Sequence, residues 1–159
     1  MLITIAAVGK MKAGPERALF ERYVERTTGV GRSLALTVAT REFIESRYAA
    51  VTARKDQEAE ALLGAVPAGG VLIALDEGGK SLDSRAFADK IAKWRDGGTS
   101  DLVFAIGGAD GHGPALLQKS ALRLAFGPMT WPHQLARIML AEQIYRAVTI
   151  LSGHPYHRD

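Results

Sequence analysis

The strongest constraint on this chain is an alternation. Short apolar runs recur five times, each followed by a stretch with helical spacing. Leu2–Val8, Ser33–Thr40, Gly70–Leu75, Asp101–Ile106 and Ala121–Phe126 read as strands. Helices are expected from Pro15 to the glycines at 29 and 31, over Lys55–Leu63, over Pro114–Lys119 and over His133–Leu151. Another places Phe87, Ile91 and Trp94 on one inner face, with Asp83 or Ser81 as its cap. Gly70–Leu75 (GVLIAL) shows no polar alternation, the mark of a strand covered on both faces. Together these predict an α/β layer fold: a mainly parallel sheet with helices on both faces.

The punctuation is equally regular. Asp76–Gly79 reads as a turn, and residues 41–52 as a solvated connection near Arg41, Arg47 and Arg54. Those arginines fit a solvated loop better than contacts to phosphates. A chain of 159 residues is expected to form one domain over 1–159, since domains run roughly 100–150 residues. There is no cysteine, which excludes disulfides, thiolate metal sites and a Cys nucleophile. No charged segment precedes the first apolar run, and no apolar run approaches the roughly 18 residues of a membrane span, so a cytoplasmic protein is expected.

Net charge is +3. Residues 1–110 carry 15 basic and 15 acidic side chains, so the excess lies wholly in the last third. That third also holds all four histidines: His112, His133, His154 and His157. The pattern hints at a polyanionic partner on that side.

Several α/β chemistries are excluded by the residues that would perform them. The first strand is followed by Gly9-Lys10-Met11-Lys12-Ala13-Gly14, which lacks the dinucleotide fingerprint G-x-G-x-x-G. Gly9 and Gly14 have P-loop spacing, but Pro15-Glu16 replaces the lysine and hydroxyl that would hold phosphate and magnesium. There is no G-x-S-x-G elbow and no H-E-x-x-H pair, and no metal site is assigned. Glycine and proline cluster instead after three later strands, at Leu75–Gly79, Ile106–Gly113 and Phe126–Pro132. Ligands of open α/β sheets bind outside the carboxyl ends of strands, so these loops would make one pocket if their strands were neighbours.

Three segments carry a resemblance: IGGADG at Ile106–Gly111, MTWPHQLARIMLAEQIYRA at Met129–Ala147, and the ending HPYHRD at His154–Asp159. With the opening LITIAAVGKMK and the LDEGGK of Leu75–Lys80, the chain resembles, over its whole length, a family of SPOUT-superfamily methyltransferases. These methylate N3 of a pseudouridine in 23S rRNA of the large ribosomal subunit. The resemblance implies a C-terminal trefoil knot, a homodimer, action on the large subunit or assembled ribosome, and S-adenosylmethionine as methyl donor without a metal. It implies cofactor contacts at Leu75, Gly108, Gly127, Pro128, Met129, Thr130, Trp131 and Pro132. Trp131 departs from the smaller aliphatic residue common there.

Methyl transfer from a sulfonium is an in-line displacement that needs alignment and exclusion of water. The acceptor imide must lose a proton, so a base or an anion-stabilising donor is required. With the resemblance, the tail supplies the candidates: His157 as base, Arg158 on phosphate or carbonyl oxygen, Tyr156 as a stacking platform, and His154 in an extended backbone before Pro155. Glu142 and Arg146 are four apart on the long helix, in the favourable order for an ion pair. That helix is expected to pack on its two-fold mate, letting the tail reach the partner's pocket. His133 reads as a loop-capping group rather than a pocket residue. The alternative function is a ribosome-binding factor that kept the fold without catalysis. A small-molecule nucleotide enzyme is disfavoured by the missing phosphate fingerprints.

Overall fold

The computed structural model describes residues 1–158; Asp159, the last residue of the expected tail, lies outside them. The elements run β1 (Leu2–Val8), α1 (Pro15–Gly31), β2 (Thr37–Phe43), α2 (Val51–Leu63), β3 (Val71–Ser81), α3 (Ser84–Asp96), β4 (Asp101–Ile106), α4 (Pro114–Lys119), β5 (Leu122–Ala125) and α5 (His133–Ser152). The five strands form one sheet in the order β2-β1-β4-β3-β5, and every pairing is parallel.

The apolar strands explain the layers. Successive side chains point to opposite faces, so Ile3, Ile5 and Ala7 enter one cluster while Ala6 and Val8 enter the other. The first cluster is closed by α1, α3 and α5, through residues such as Phe20, Phe87, Ile91 and Leu140. The second is closed by α2 and α4, through Ala59, Leu62 and Leu116. Both faces are therefore dry, as the unbroken apolar runs require. Phe87 and Phe104 meet edge-to-face with ring centres 5.8 Å apart, a contact that stabilises by about 1 kcal/mol beyond area burial. The cap of α3 is Asp83, whose carboxylate accepts from the Ala86 N–H at 2.7 Å; Ser81 is instead the last residue of β3.

Two strands differ from the sequence reading. β2 starts at Thr37, not Ser33, because Arg32–Leu34 curl into a 3-10 turn at the end of α1. Ala35 then takes a left-handed φ of 54°, and the Leu36 N–H returns to the Gly31 carbonyl at 2.9 Å. β2 in turn runs on to Phe43, taking Arg41 out of the expected loop. β3 does not end at the Asp76–Gly79 turn. Leu75 and Lys80 both pair with Leu124, so those four residues bulge outward and the strand resumes beyond them. Gly79 permits this closeness: a Cβ there would sit 2.6 Å from the Arg123 backbone.

At the other end of α5, Gly153 adopts φ 69° and closes the last turn, with the His154 N–H bonding the Thr149 carbonyl at 3.0 Å. The reversal lays the tail back along α5. Among the described residues no helix is long and apolar enough to cross a membrane.

Candidate active site at the ends of three strands

The sheet order makes β4, β3 and β5 neighbours, so their carboxyl ends lie side by side. The loops that leave them enclose a cavity of about 540 Å³, within the usual size of a small-molecule site. Of the cofactor contacts expected from resemblance, Leu75, Gly108, Gly127, Met129, Thr130 and Trp131 line it; Pro128 and Pro132 do not. Met129 is 69% exposed and Trp131 39%, so both stand at the mouth rather than in the core. The Trp131 indole N–H donates to the Phe126 carbonyl at 3.3 Å, closing the third loop on itself.

Each loop is shaped by contacts the chain itself imposes. A Cβ on Gly108 would sit 2.6 Å from a Glu58 carboxylate oxygen, and one on Gly113 would sit 2.9 Å from the Lys55 carbonyl oxygen. The glycine-rich loop thus lies flat on α2. Gly127 takes φ 94°, a backbone conformation that suits glycine, and a Cβ there would meet nothing within 4 Å. Asp110 is anchored to Arg54 at 2.7 Å, and the same guanidinium donates to the Tyr48 and Ala49 carbonyls at 2.9 Å. The arginine expected in a solvated loop therefore sits on α2 and ties residues 48–49 to the cavity wall. Asp76 is paired with Arg123 of β5, Nε to Oδ2 at 2.7 Å.

The wall carries Asp76, Glu77 and Asp110 with Lys55; Asp76 and Asp110 are neutralised by Arg123 and Arg54. Hydrogen bonding to Arg54 holds the Asp110 carboxyl below its ordinary range. Two histidines also line the cavity. His112 is 9% exposed, and its Nε2 lies 3.1 Å from the Leu75 carbonyl; His133 Nε2 lies 2.6 Å from the Gly107 carbonyl. Carbonyls only accept, so both rings carry the proton on Nε2. Burial pushes both imidazoles below the ordinary histidine range. His133 makes no side-chain cap to α5; it holds the neighbouring loop by the Gly107 carbonyl and also lines the cavity, so the loop-capping and pocket alternatives meet in one side chain. Sequence reasoning missed His112 altogether, although its place inside GGADGHG was a usable signal.

The tail lies elsewhere on the molecule: His154, Tyr156, His157 and Arg158 do not line the cavity. The Tyr156 hydroxyl donates to Glu142 Oε1 at 3.0 Å, and its ring packs on Tyr145 with centres 4.7 Å apart. The Arg146 guanidinium stands 4.9 Å over that ring and pairs with Glu142 at 2.5 Å, as the spacing predicts. His157 Nδ1 is 3.3 Å from Arg146 Nη1, His154 Nδ1 accepts the Tyr156 N–H at 3.2 Å, and Arg158 is exposed. Burial, with Tyr23 and Glu142 beside it, pushes the Tyr156 hydroxyl well above the ordinary phenol range. Among the described residues, no group of three or more His, Asp or Glu could hold a metal ion.

Known proteins locate this architecture. The family model described as "Predicted SPOUT methyltransferase" matches residues 1–157. A protein of Brucella anthropi named ribosomal RNA large subunit methyltransferase H is 54% identical over 100% of both chains. Proteins with the same name from Nitrobacter hamburgensis and Sinorhizobium medicae are 51% and 54% identical, each over 99% of both chains. A far weaker likeness, 13% identical with TM-score 0.42, covers 95% of this chain and 60% of a crystal structure of the SpoU methyltransferase AviRb from Streptomyces viridochromogenes in complex with AdoMet. On the full-length match to the family and to relatives above half identity, the chain belongs to the SPOUT methyltransferase family.

Proposed function

We propose that the chain, as one SPOUT unit with the trefoil knot its family resemblance implies, is a cytoplasmic methyltransferase. It transfers a methyl group from S-adenosylmethionine to N3 of a pseudouridine in 23S rRNA of the large ribosomal subunit. The observation that carries this reading is the joining of three glycine- and proline-bearing strand ends into one cavity. It occurs in a chain whose full-length relatives are named rRNA large subunit methyltransferase H.

The residues present fit the cofactor. The cavity's size suits a nucleoside with a short amino-acid arm. Gly127 opens onto unfilled space where any side chain would intrude. When bound, S-adenosylmethionine supplies an electrophilic methyl that needs no metal. Leu75, Gly108 and Gly127 offer backbone groups, Thr130 offers a hydroxyl, and Met129 and Trp131 cover the mouth. The resemblance also implies cofactor contacts at Pro128 and Pro132, which do not line the cavity.

The tail enters as the acceptor side of the site. Within one chain Tyr156 and His157 are fastened to α5 and do not line the cavity. The tail's role therefore needs the homodimer that the resemblance implies, with His154, Tyr156, His157 and Arg158 serving the partner's cavity. An apolar groove of about 610 Å³ between α1, α3 and α5, which shares Phe126 and Gly127 with the cavity, gives such a partner a face to cover. Calorimetry with S-adenosylmethionine tests the reading: micromolar binding with two sites per dimer supports it. Complete absence of binding would favour a non-catalytic ribosome-binding factor.

A further inference from the structure

The three loops of the cavity are joined by two imidazoles. His112, in the loop after β4, donates from Nε2 to the Leu75 carbonyl, where the bulge in β3 begins. His133, which follows the loop after β5, donates from Nε2 to the Gly107 carbonyl in the loop after β4. The first histidine thus ties the first loop to the second, and the second ties the second loop to the third. The ion pair of Asp76 with Arg123 adds a tie from the first of these segments to β5.

We propose that His112 and His133 are positioning residues that staple the three cavity loops into the arrangement that accepts S-adenosylmethionine. The inference rests on the reading of the cavity as the cofactor site. Its physical basis is preorganisation: Gly107, Gly108 and Gly127 give the loops backbone freedom that must be removed before a ligand is held tightly. Each staple removes that freedom with a donor anchored in protein. His112 is held by burial, with a Cβ on Gly107 falling 3.2 Å from its Nδ1. His133 is held by the first turn of α5.

The same geometry makes the staples acid-sensitive. His112 Nδ1 is buried and makes no hydrogen bond as it stands; burial disfavours a second proton on the ring more than the Leu75 and Ala105 carbonyls favour it. The charged groups facing His112 are Asp76 in the bulge of β3 and Lys55 of α2, of opposite sign. Those facing His133 are Arg137 on its own helix, Glu45 in the loop after β2 and Glu58 of α2; burial and Arg137 disfavour the imidazolium. Protonation leaves the Nε2 donor in place but drives each ring toward water, and the loop it holds moves with it.

The test uses amide hydrogen exchange, which reads the loops without any ligand, beside calorimetry with S-adenosylmethionine. His112→Leu and His133→Leu remove each donor at similar volume. His112→Gln and His133→Gln keep an N–H near Nε2 and do not titrate. In the leucine variants, exchange in residues 75–79, 107–113 and 127–132 should quicken by about tenfold while β1 and α3 keep wild-type protection. Cofactor dissociation constants should rise by about tenfold. The glutamine variants should recover both. They should also lose the fall in loop protection, relative to the intrinsic exchange rate, expected of wild type as pH drops below about 6.5. Loop exchange at the wild-type rate in both leucine variants would overturn the proposal. So would glutamine variants that exchange as fast as the leucine ones, which also decides the matter if a leucine variant fails to fold. If wild type binds no S-adenosylmethionine, the cofactor reading fails, while the exchange data still decide the staples.

Discussion

The Tyr156 hydroxyl and the Glu142 carboxylate are joined at 3.0 Å, and Glu142 Oε1 also receives the Arg146 guanidinium. One carboxylate oxygen therefore fastens the tail to α5. The neighbouring negative charge and burial keep the phenol protonated far above neutral pH, so Tyr156 is a donor and a stacking surface rather than a base.

Under the proposed function, proton removal would fall to His157 and charge stabilisation to Arg158. His157→Ala or Arg158→Ala should lower methyl transfer to rRNA by about 100-fold, with cofactor affinity changed less than about twofold by calorimetry. Unchanged turnover in both variants would remove the tail from the site. Sedimentation adds an independent check: an active monomer at micromolar concentration would sink the shared-site arrangement.

Two glycines separate folding from binding. A methyl on Gly79 meets the Arg123 backbone at 2.6 Å, and backbone in a paired strand cannot retreat. Gly79→Ala should cost about 3 kcal/mol in denaturant unfolding. A methyl on Gly108 meets the tip of Glu58, a side chain able to swing away at the loss of its hydrogen bond from the Ser46 N–H at 3.0 Å. Gly108→Ala should cost only about 1 kcal/mol, yet weaken S-adenosylmethionine binding by about tenfold. The reverse ranking would contradict the packing account.

Arg137 is the buried cation of the fold. Its Nη2 donates to the Val8 and Gly9 carbonyls at 2.5 and 2.6 Å, and its Nη1 to Glu42 at 3.0 Å. It fixes α5 to the ends of β1 and β2. Arg137→Met strands two carbonyls and leaves the partly exposed Glu42 carboxylate to the Met11 N–H, so stability should fall by about 3 kcal/mol. Arg137→Lys should recover only part, because an ammonium cannot reproduce the planar fork. Thermal unfolding checks both; a melting temperature unchanged in Arg137→Met would refute the assignment.

Acid should destabilise the protein in two windows. His112 and His133 titrate lower in the folded protein than in the unfolded chain, where the ordinary value is 6.5. The unfolded chain therefore binds protons first: this contribution is whole above about 6.5 and is lost as pH falls toward the folded values. Asp110, held low by Arg54, contributes above its ordinary value of 3.8 and loses that contribution only in stronger acid. Denaturant midpoints followed from neutral to mildly acidic pH should fall in wild type and stay flatter in a His112→Gln, His133→Gln double variant. A midpoint independent of pH in wild type would contradict the first window.

Most of the layer architecture was legible, because unbroken apolar runs leave a strand only a two-sided burial. The three ligand loops were legible as glycine and proline after strands, but their adjacency was not. Local periodicity is silent on the order β4-β3-β5, which sets which ends meet. The start of β2 was misread because Ser33–Leu36 has strand composition while Ala35 turns left-handed to end α1. The bulge in β3 was read as a terminus, since Gly78-Gly79 punctuates a turn and a bulge alike. His112 and the Arg54–Asp110 tie rest on contacts between distant segments, which single-sequence spacing does not contain.

The most direct test of the central claim is mass mapping of 23S rRNA after large ribosomal subunits lacking the modification are incubated with the protein and S-adenosylmethionine. The account predicts one added methyl group on a single pseudouridine, and none with a protein carrying both His157→Ala and Arg158→Ala. Ribosomal RNA that gains no methyl group, or gains one on any nucleotide other than a pseudouridine, would contradict it.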